Sequence, residues 1–276
     1  MGIGLVIALA ILQGLTEFLP VSSSGHLRLL ATFGGVKEPQ TLFDIVLHVG
    51  TLVPILVVYR EQVIRLVSAC LRVLRAPGSW ADEPDAKVAW WLVVASVPTV
   101  AIALSLGDLT ESLATDVRWV AAALVVNGGV LLLLGALCRR SEAEGAAEGR
   151  DLHQMGLRDA LVVGTVQGLA IFRGISRSGS TITASMVCGL DREAAASFSF
   201  LLSIPVILGA LILKWDPEVV SSVSWQTLLL GGSVAAAVGT GALLLLLGLL
   251  KKGRLHLFAW YCFALAALTL VWVYGS

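Results

Sequence analysis

Apolar residues in this chain come in long unbroken blocks rather than at one-face helical spacing. The blocks 88–107, 119–138, 194–213 and 255–274 contain no Asp, Glu, Lys or Arg. Each is about as long as a helix must be to cross a hydrocarbon core, which takes about 20 residues. The uncharged run 219–250 is longer than one span needs, which predicts a helix over 226–250 preceded by an interfacial turn. A sixth block, 42–59, carries Asp44 and His48. Two further apolar stretches are too short to cross: 2–16 ends at Glu17, and 160–172 ends at Arg173. Each is followed by a Ser/Gly-rich turn and a second weakly apolar stretch, 26–33 and 181–190. A short helix, a polar turn and another short helix read as a re-entrant hairpin, here 2–33 and 160–190. The predicted fold class is an all-α integral membrane protein with six transmembrane helices and two re-entrant helical hairpins.

Composition supports the bilayer reading. Of 276 residues, 57% are hydrophobic and only 14% charged, against roughly 45–50% and 25% in soluble domains. The mean hydropathy is +0.88. Lys+Arg and Asp+Glu are 19 each, so no basic field exists for nucleic acid. Cys70, Cys138, Cys188 and Cys262 are far apart and read as apolar fillers rather than a disulfide or zinc framework. The apolar start lacks a basic leader region and reads as the first helix rather than a cleaved signal. Most of the eight tryptophans fall at predicted span ends, as an aromatic belt does.

Charge placement orients the spans. Segment 60–87 holds Arg60, Arg65, Arg72, Arg75 and Lys87; 139–158 holds Arg139, Arg140, Arg150 and Arg158; 251–254 holds Lys251, Lys252 and Arg254. The links 108–116 and 215–224 are acidic instead. Six spans and two re-entrant hairpins put all three basic segments on one side, expected to be the cytoplasm.

The chain also repeats itself. Aligning 13–25 with 167–179 sets QGLTEFLPVSSSG over QGLAIFRGISRSG, with seven of thirteen positions identical. The following spans, 42–56 and 197–211, echo one another as Phe-led, Pro-containing segments. Each half, 1–140 and 159–276 around a linker 141–158, is then a hairpin plus three spans. Three is odd, so the halves are expected to lie upside down relative to one another, which places a binding site near the midplane.

The two polar turns carry the candidate chemistry. Gln13 and Glu17 are four residues apart, on one helix face. A carboxylate at membrane depth is a functional candidate, and its hard oxygens suit Mg²⁺ or Ca²⁺. Ser22, Ser23 and Ser24 precede a new helix, where one caps it and the amides can bind phosphate. His26 is a candidate general base. In the second turn Arg173 and Arg177 call for anions, Arg177 more than Arg173, which can snorkel. Gly174, Ser176, Ser178, Ser180 and Thr181 add backbone access and hydroxyls. Asp44 and His48 can line the same cavity or form a plain helix pair. Together these groups suit phosphoryl chemistry.

The segments QGLTEFLPVSSSGHL and GISRSGST resemble the two signature regions of the bacterial undecaprenyl-diphosphate phosphatases, the bacitracin-resistance family. The resemblance covers essentially the whole chain. It implies removal of the terminal phosphate from a polyprenyl diphosphate lipid in the bacterial inner membrane, with the site facing the outer side and a divalent cation as cofactor. Carried over by motif, Gln13 and Glu17 are metal-linked, and Ser23 and His26 match the family's Ser and His. Gly174, Ser176, Arg177, Ser178 and Thr181 match the second motif. Arg173 stands where the family has Pro, which frees φ and adds a charge. The resulting expectation is an enzyme with Ser23, His26, Glu17 and Arg177 as catalytic residues. Gln13, Ser22, Ser24, Arg173, Gly174, Ser176, Ser178, Ser180 and Thr181 are the expected substrate contacts. Ser23 attacks phosphorus or positions a water, and His26 takes the proton. A polyprenyl-phosphate transporter or flippase using the same anion site without bond cleavage is the alternative. The expected partners are the lipid substrate, the membrane and, as an assembly, a homodimer; nucleic acid is not expected.

Overall fold

The computed structural model describes residues 2–34, 41–143, 149–213 and 224–275, and all the regular structure described is helical apart from one isolated backbone bridge, Arg150 to Leu190. The helices are α1 (Ile3–Phe18), α2 (Ser23–Phe33), α3 (Thr41–Val58), α4 (Arg60–Arg75), α5 (Pro84–Ala114), α6 (Val117–Ala143), α7 (Leu157–Leu169), α8 (Arg177–Val187), α9 (Arg192–Leu213), α10 (Trp225–Lys251) and α11 (Leu257–Gly275). Short 3₁₀ turns occupy Pro77–Asp82 and Leu152–Gln154.

Among the described residues five helices, α5, α6, α9, α10 and α11, are long and apolar enough to cross a membrane. The sixth expected span falls on α3, whose described apolar part is Val46–Val58. Helices α1 and α2 have 16 and 11 residues, about 24 and 16 Å at 1.5 Å per residue, so neither alone crosses about 30 Å of hydrocarbon. Helix α1 ends one residue after Glu17: Glu17 and Phe18 lie in its last turn, and Pro20 prevents continuation.

Boundaries differ from the sequence expectation at several places. Helix α5 runs from Pro84 to Ala114 rather than 88–107, because Pro84 opens its first turn and Asp108 and Glu111 continue it past the apolar block. Helix α6 extends to Ala143 and α7 begins at Leu157, so the linker is shorter than 141–158. The segment 60–87, read as a loop from its charge, contains the full helix α4. Its apolar residues recur at helical spacing, a weaker signal than an unbroken block. The interfacial turn expected before 226, with its acidic residues Asp216 and Glu218, lies largely outside the described residues.

The lipid-facing surface is apolar, as it must be. On α5 alone Trp90, Val93, Val97 and Leu104 are exposed. The interior is packed by Phe18, Phe198, Leu131, Leu201 and Leu202, with the Phe18 and Phe200 rings 5.9 Å apart. Helix α1 packs on α10, and α7 packs on α5; α6 packs on α11. Gly14 permits the first contact, since a Cβ there would sit 2.8 Å from the Ala235 carbonyl oxygen of α10. Gly168, its counterpart in the sequence repeat, has the same role against α5, where a Cβ would sit 2.8 Å from Ile102.

The three basic segments gather at one end of the bundle. Arg192 donates to the carbonyl of Cys138 at 2.8 Å and to that of Lys251 at 3.0 Å, joining the ends of α6 and α10 to the start of α9. His153 meets Asp85 at 2.9 Å and Arg150 meets Asp159 at 2.9 Å, joining the 149–156 segment to the starts of α5 and α7. Arg65 and Arg72 tie α4 to the same corner through Asp85 and Glu83.

Candidate active site

Two short turns, one between α1 and α2 and one between α7 and α8, build the site against each other. The backbone at Ser22 has φ +69, which aims its side chain across the turn. Its hydroxyl accepts the Gly25 N–H at 3.3 Å as the α2 cap and also the Gly174 N–H at 3.1 Å. On the other turn Ser176 caps α8 by accepting the Gly179 N–H at 3.2 Å. Gly174 has φ +111, and a Cβ there would lie 2.7 Å from that of Ala123. Only glycine suits that backbone and that space.

Glu17 is the hub. Its Oε1 carries the Arg177 guanidinium from the opposite turn. Its Oε2 accepts the Ser23 hydroxyl at 2.9 Å and the Gln13 amide N–H at 3.0 Å. The His48 ring, on α3, lies 3.6 Å from the same oxygen. The Glu17 side chain is almost entirely buried and that of Arg177 largely so, so the pair is held with little water to screen it.

A cavity of about 260 Å³ opens over this cluster. One wall is polar, with Glu17, Ser22, Ser23, Ser24, His48 and Arg177; Val206, Ile207 and Ala210 of α9 make an apolar wall. Both α2 and α8 begin at the cavity. The first-turn N–H groups of a helix have no intrahelical partner and favour an anion.

Not every expected residue reaches the cavity. Ser176 does; Gln13, Arg173, Gly174, Ser178, Ser180 and Thr181 are not in its lining. Ser178 donates to the Phe18 carbonyl at 3.1 Å, and the Thr181 hydroxyl meets Ser199 and donates to the Arg177 carbonyl. These two therefore brace the turns rather than face the cavity. Arg173 is half-buried beside Gly174. His26 also faces away. Its Nδ1 is 2.7 Å from the Ser22 carbonyl oxygen and its Nε2 is 2.6 Å from the Tyr261 hydroxyl. The imidazole beside the carboxylate belongs to His48, and the side chain of Asp44 lies outside the described residues.

Asn127 was not anticipated. Completely buried on α6, it accepts the Ser176 N–H at 2.9 Å and donates to the Pro20 carbonyl at 2.9 Å, clamping both turns. The signal for it was present: a lone amide inside an apolar span is costly and calls for a partner. Tyr261 was missed because an aromatic near a span end reads as belt.

The family model described as bacitracin resistance protein BacA matches residues 6–268. The chain belongs to the BacA family. An undecaprenyl-diphosphatase of Desulfatibacillum aliphaticivorans is 42% identical, over 96% of this chain and 97% of its own length. One from Desulforapulum autotrophicum is 39% identical over 96% of each chain. The undecaprenyl-diphosphatase 2 of Streptomyces coelicolor is 35% identical, over 97% of this chain and 93% of its own. The match spans both BacA turns and every helix that carries a cavity residue.

The donor set of this BacA site suits a hard divalent cation. The described residues contain no group of three His, Cys, Asp or Glu side chains able to hold a metal. They do place a carboxylate among serine hydroxyls at an open cavity, and the Gln13 Oε1 next to it is buried without a hydrogen-bond partner. An ion held by one carboxylate, with water and phosphate oxygens filling its other positions, matches Mg²⁺ chemistry.

Proposed function

We propose that this BacA protein is a membrane undecaprenyl-diphosphatase that releases the terminal phosphate of undecaprenyl diphosphate and so recycles the lipid carrier for cell-wall synthesis. The observation that carries the reading is the convergence of Arg177 from one turn and Glu17 and Ser23 from the other on one cavity. The polar wall fits a diphosphate, and the apolar α9 wall fits the first carbons of a prenyl tail.

Before substrate enters, Arg177 neutralises Glu17. A diphosphate competes for that guanidinium, which fits phosphate as a bidentate fork. The exchange compensates the incoming charge and frees the Glu17 carboxylate. The Ser23 hydroxyl attacks the terminal phosphorus and its proton passes to Glu17 Oε2, the oxygen to which it already donates. The bond from that phosphorus to the bridging oxygen breaks, and undecaprenyl phosphate leaves. Water then hydrolyses the phosphoserine. Helix amides at the starts of α2 and α8 stabilise the developing charge. His26 holds the Ser22 carbonyl and hence the turn that carries Ser23. Glu17 and Gln13 would hold Mg²⁺ or Ca²⁺, which would supply further neutralisation of phosphate charge.

The two halves are read as an inverted repeat with α1–α2 and α7–α8 as re-entrant hairpins. The reciprocal packing of α1 on α10 and α7 on α5, with Gly14 and Gly168 at matching contacts, supports it. The gathered basic segments support a cytoplasmic end, which leaves the chain ends and the opening of the α1–α2 hairpin to the outer side, while the α7–α8 hairpin opens to the cytoplasmic end beside Arg192. That same reciprocal packing also favours a second reading, a polyprenyl-phosphate transporter, since such repeats are common in carriers.

The test is phosphate release from undecaprenyl diphosphate by purified protein with Mg²⁺ or Ca²⁺, using Arg177→Ala as the blank. Release by the wild-type protein alone supports the phosphatase. Absence of release with either metal, together with movement of undecaprenyl phosphate across vesicles, would establish the carrier instead.

A further inference from the structure

Helix α4 divides its surface three ways. Leu66 and Ala69 are buried against the bundle, and Gln62 accepts the Ser197 hydroxyl at 3.0 Å. Arg65 and Arg72 turn towards Asp85 and Glu83. Ile64, Val67, Leu71 and Leu74 are left exposed, at 63%, 53%, 47% and 76%. At 100° per residue these four share a stripe about 80° wide, pointing away from the buried face. Trp80 and Trp90 stand close by, edge to face with ring centroids 6.5 Å apart, and both are exposed. Such an aromatic pair marks headgroup depth.

A second feature lies at the start of the same helix. A recess of about 270 Å³ is lined by Val58, Tyr59, Arg60, Glu61, Gln62 and Arg65. Arg60 is 3.6 Å from the exposed Glu61, and Arg65 is 3.8 Å from Asp85. Both are long contacts that leave donors able to turn to a phosphate. The recess sits at the basic end of the bundle, next to a helix whose apolar stripe needs an acyl environment.

We propose that α4 is a membrane-surface helix that selects anionic phospholipid: its Ile64–Val67–Leu71–Leu74 stripe lies at the acyl boundary, and Arg60 and Arg65 hold a lipid phosphate in the recess. The site is separate from the catalytic cavity and shares no lining residue with it. A zwitterionic lipid offers the same acyl chains without net charge, so the arginines confer the preference. A basic residue near an anionic surface contributes about fivefold in partition.

The test uses the full chain in nanodiscs of phosphatidylcholine with phosphatidylglycerol. After detergent washing, the retained lipid is counted by mass spectrometry. Wild-type protein is expected to retain phosphatidylglycerol in excess of its share. Arg60→Gln with Arg65→Gln is expected to lose most of that excess, and Arg60→Lys with Arg65→Lys to keep it. A spin label at Leu74→Cys, with the four native cysteines replaced, is expected to respond to oxygen and not to an aqueous nickel reagent. Equal phosphatidylglycerol retention by wild type and the glutamine variant would overturn the selectivity. A water-exposed label would overturn the membrane contact and assign the stripe to a soluble partner. Should the double glutamine variant fail to fold, Arg60→Gln and Arg65→Gln made singly are each expected to lose part of the excess, and full retention by both would overturn the selectivity.

Discussion

The Ser22 hydroxyl accepts the backbone N–H of Gly174 at 3.1 Å, across 152 residues of chain. One serine thus caps α2 and fastens the two turns together. The groups proposed to act on the phosphate depend on this joint, because Ser23 follows Ser22 and Arg177 lies three residues beyond Gly174.

Loosening the joint should therefore lower stability as well as turnover. Ser22→Ala leaves the buried Gly174 N–H without its acceptor, a loss of about 1–3 kcal/mol. Gly174→Ala adds a Cβ to a left-handed backbone against Ala123, at about 2–4 kcal/mol. Thermal unfolding in detergent should rank Gly174→Ala at or below Ser22→Ala, and both below wild type. An unchanged melting temperature for Gly174→Ala would contradict the packing.

Arg177→Ala strands the Glu17 carboxylate in the interior. Removing one partner of a buried pair costs about 3–5 kcal/mol, and phosphate release should fall at least about a hundredfold. Glu17→Gln keeps the shape and removes the charge, so it should unfold nearer to wild type yet lose turnover. Comparing melting curves with phosphate release for the two variants separates stability from chemistry.

Ser23→Ala tests the attacking group. The Ser23 hydroxyl borders the cavity and donates to Glu17, so its removal should abolish turnover, and rapid acid quench of wild type with ³²P-labelled substrate should trap phosphoserine at position 23. Measurable turnover by Ser23→Ala would assign the attack to water.

The His26–Tyr261 pair lies outside the cavity, with stacked rings 5.6 Å apart. Tyr261→Phe removes only the outer hydroxyl and should leave kcat within about tenfold. His26→Ala frees the Ser22 carbonyl and so misplaces Ser23, which should lower kcat by about a hundredfold. Equal losses in the two variants would mean that the pair works as one unit.

At the start of α5, the hydrogen bond from Arg72 holds the Glu83 carboxyl below the ordinary glutamate range. The depressed pKa means that this tie is complete at neutral pH and disappears only as pH falls below the ordinary glutamate range and through that of the folded carboxyl. The protection of the first α5 amides, taken relative to the intrinsic exchange rate at each pH, should fall on acidification in wild type. Glu83→Gln should show the lower protection already at neutral pH.

Much of this was legible in the chain itself. The unbroken apolar blocks could not be buried in a soluble protein, so they announced the spans, and the repeat of QGL and SxSG marked the two turns. The expected grouping of Glu17, Ser23 and Arg177 needed only the rule that charge at membrane depth seeks charge. Helix α4 was less legible because its arginines suggested a loop while its apolar stripe, spaced at three and four residues, was diluted by them. The orientation of His26 was not legible either, since which ring nitrogen meets which partner depends on Tyr261, more than two hundred residues away.

Sequence by itself determined what had to be in the membrane and which polar groups were too expensive there to be accidental, because transfer free energies are properties of residues and their neighbours along the chain. Tertiary structure alone decided which of those groups share a cavity and which merely brace it. Hydrogen bonds such as those of Asn127 to Pro20 and Ser176 act over a few ångströms in space, and spacing along the chain carries no trace of such distances.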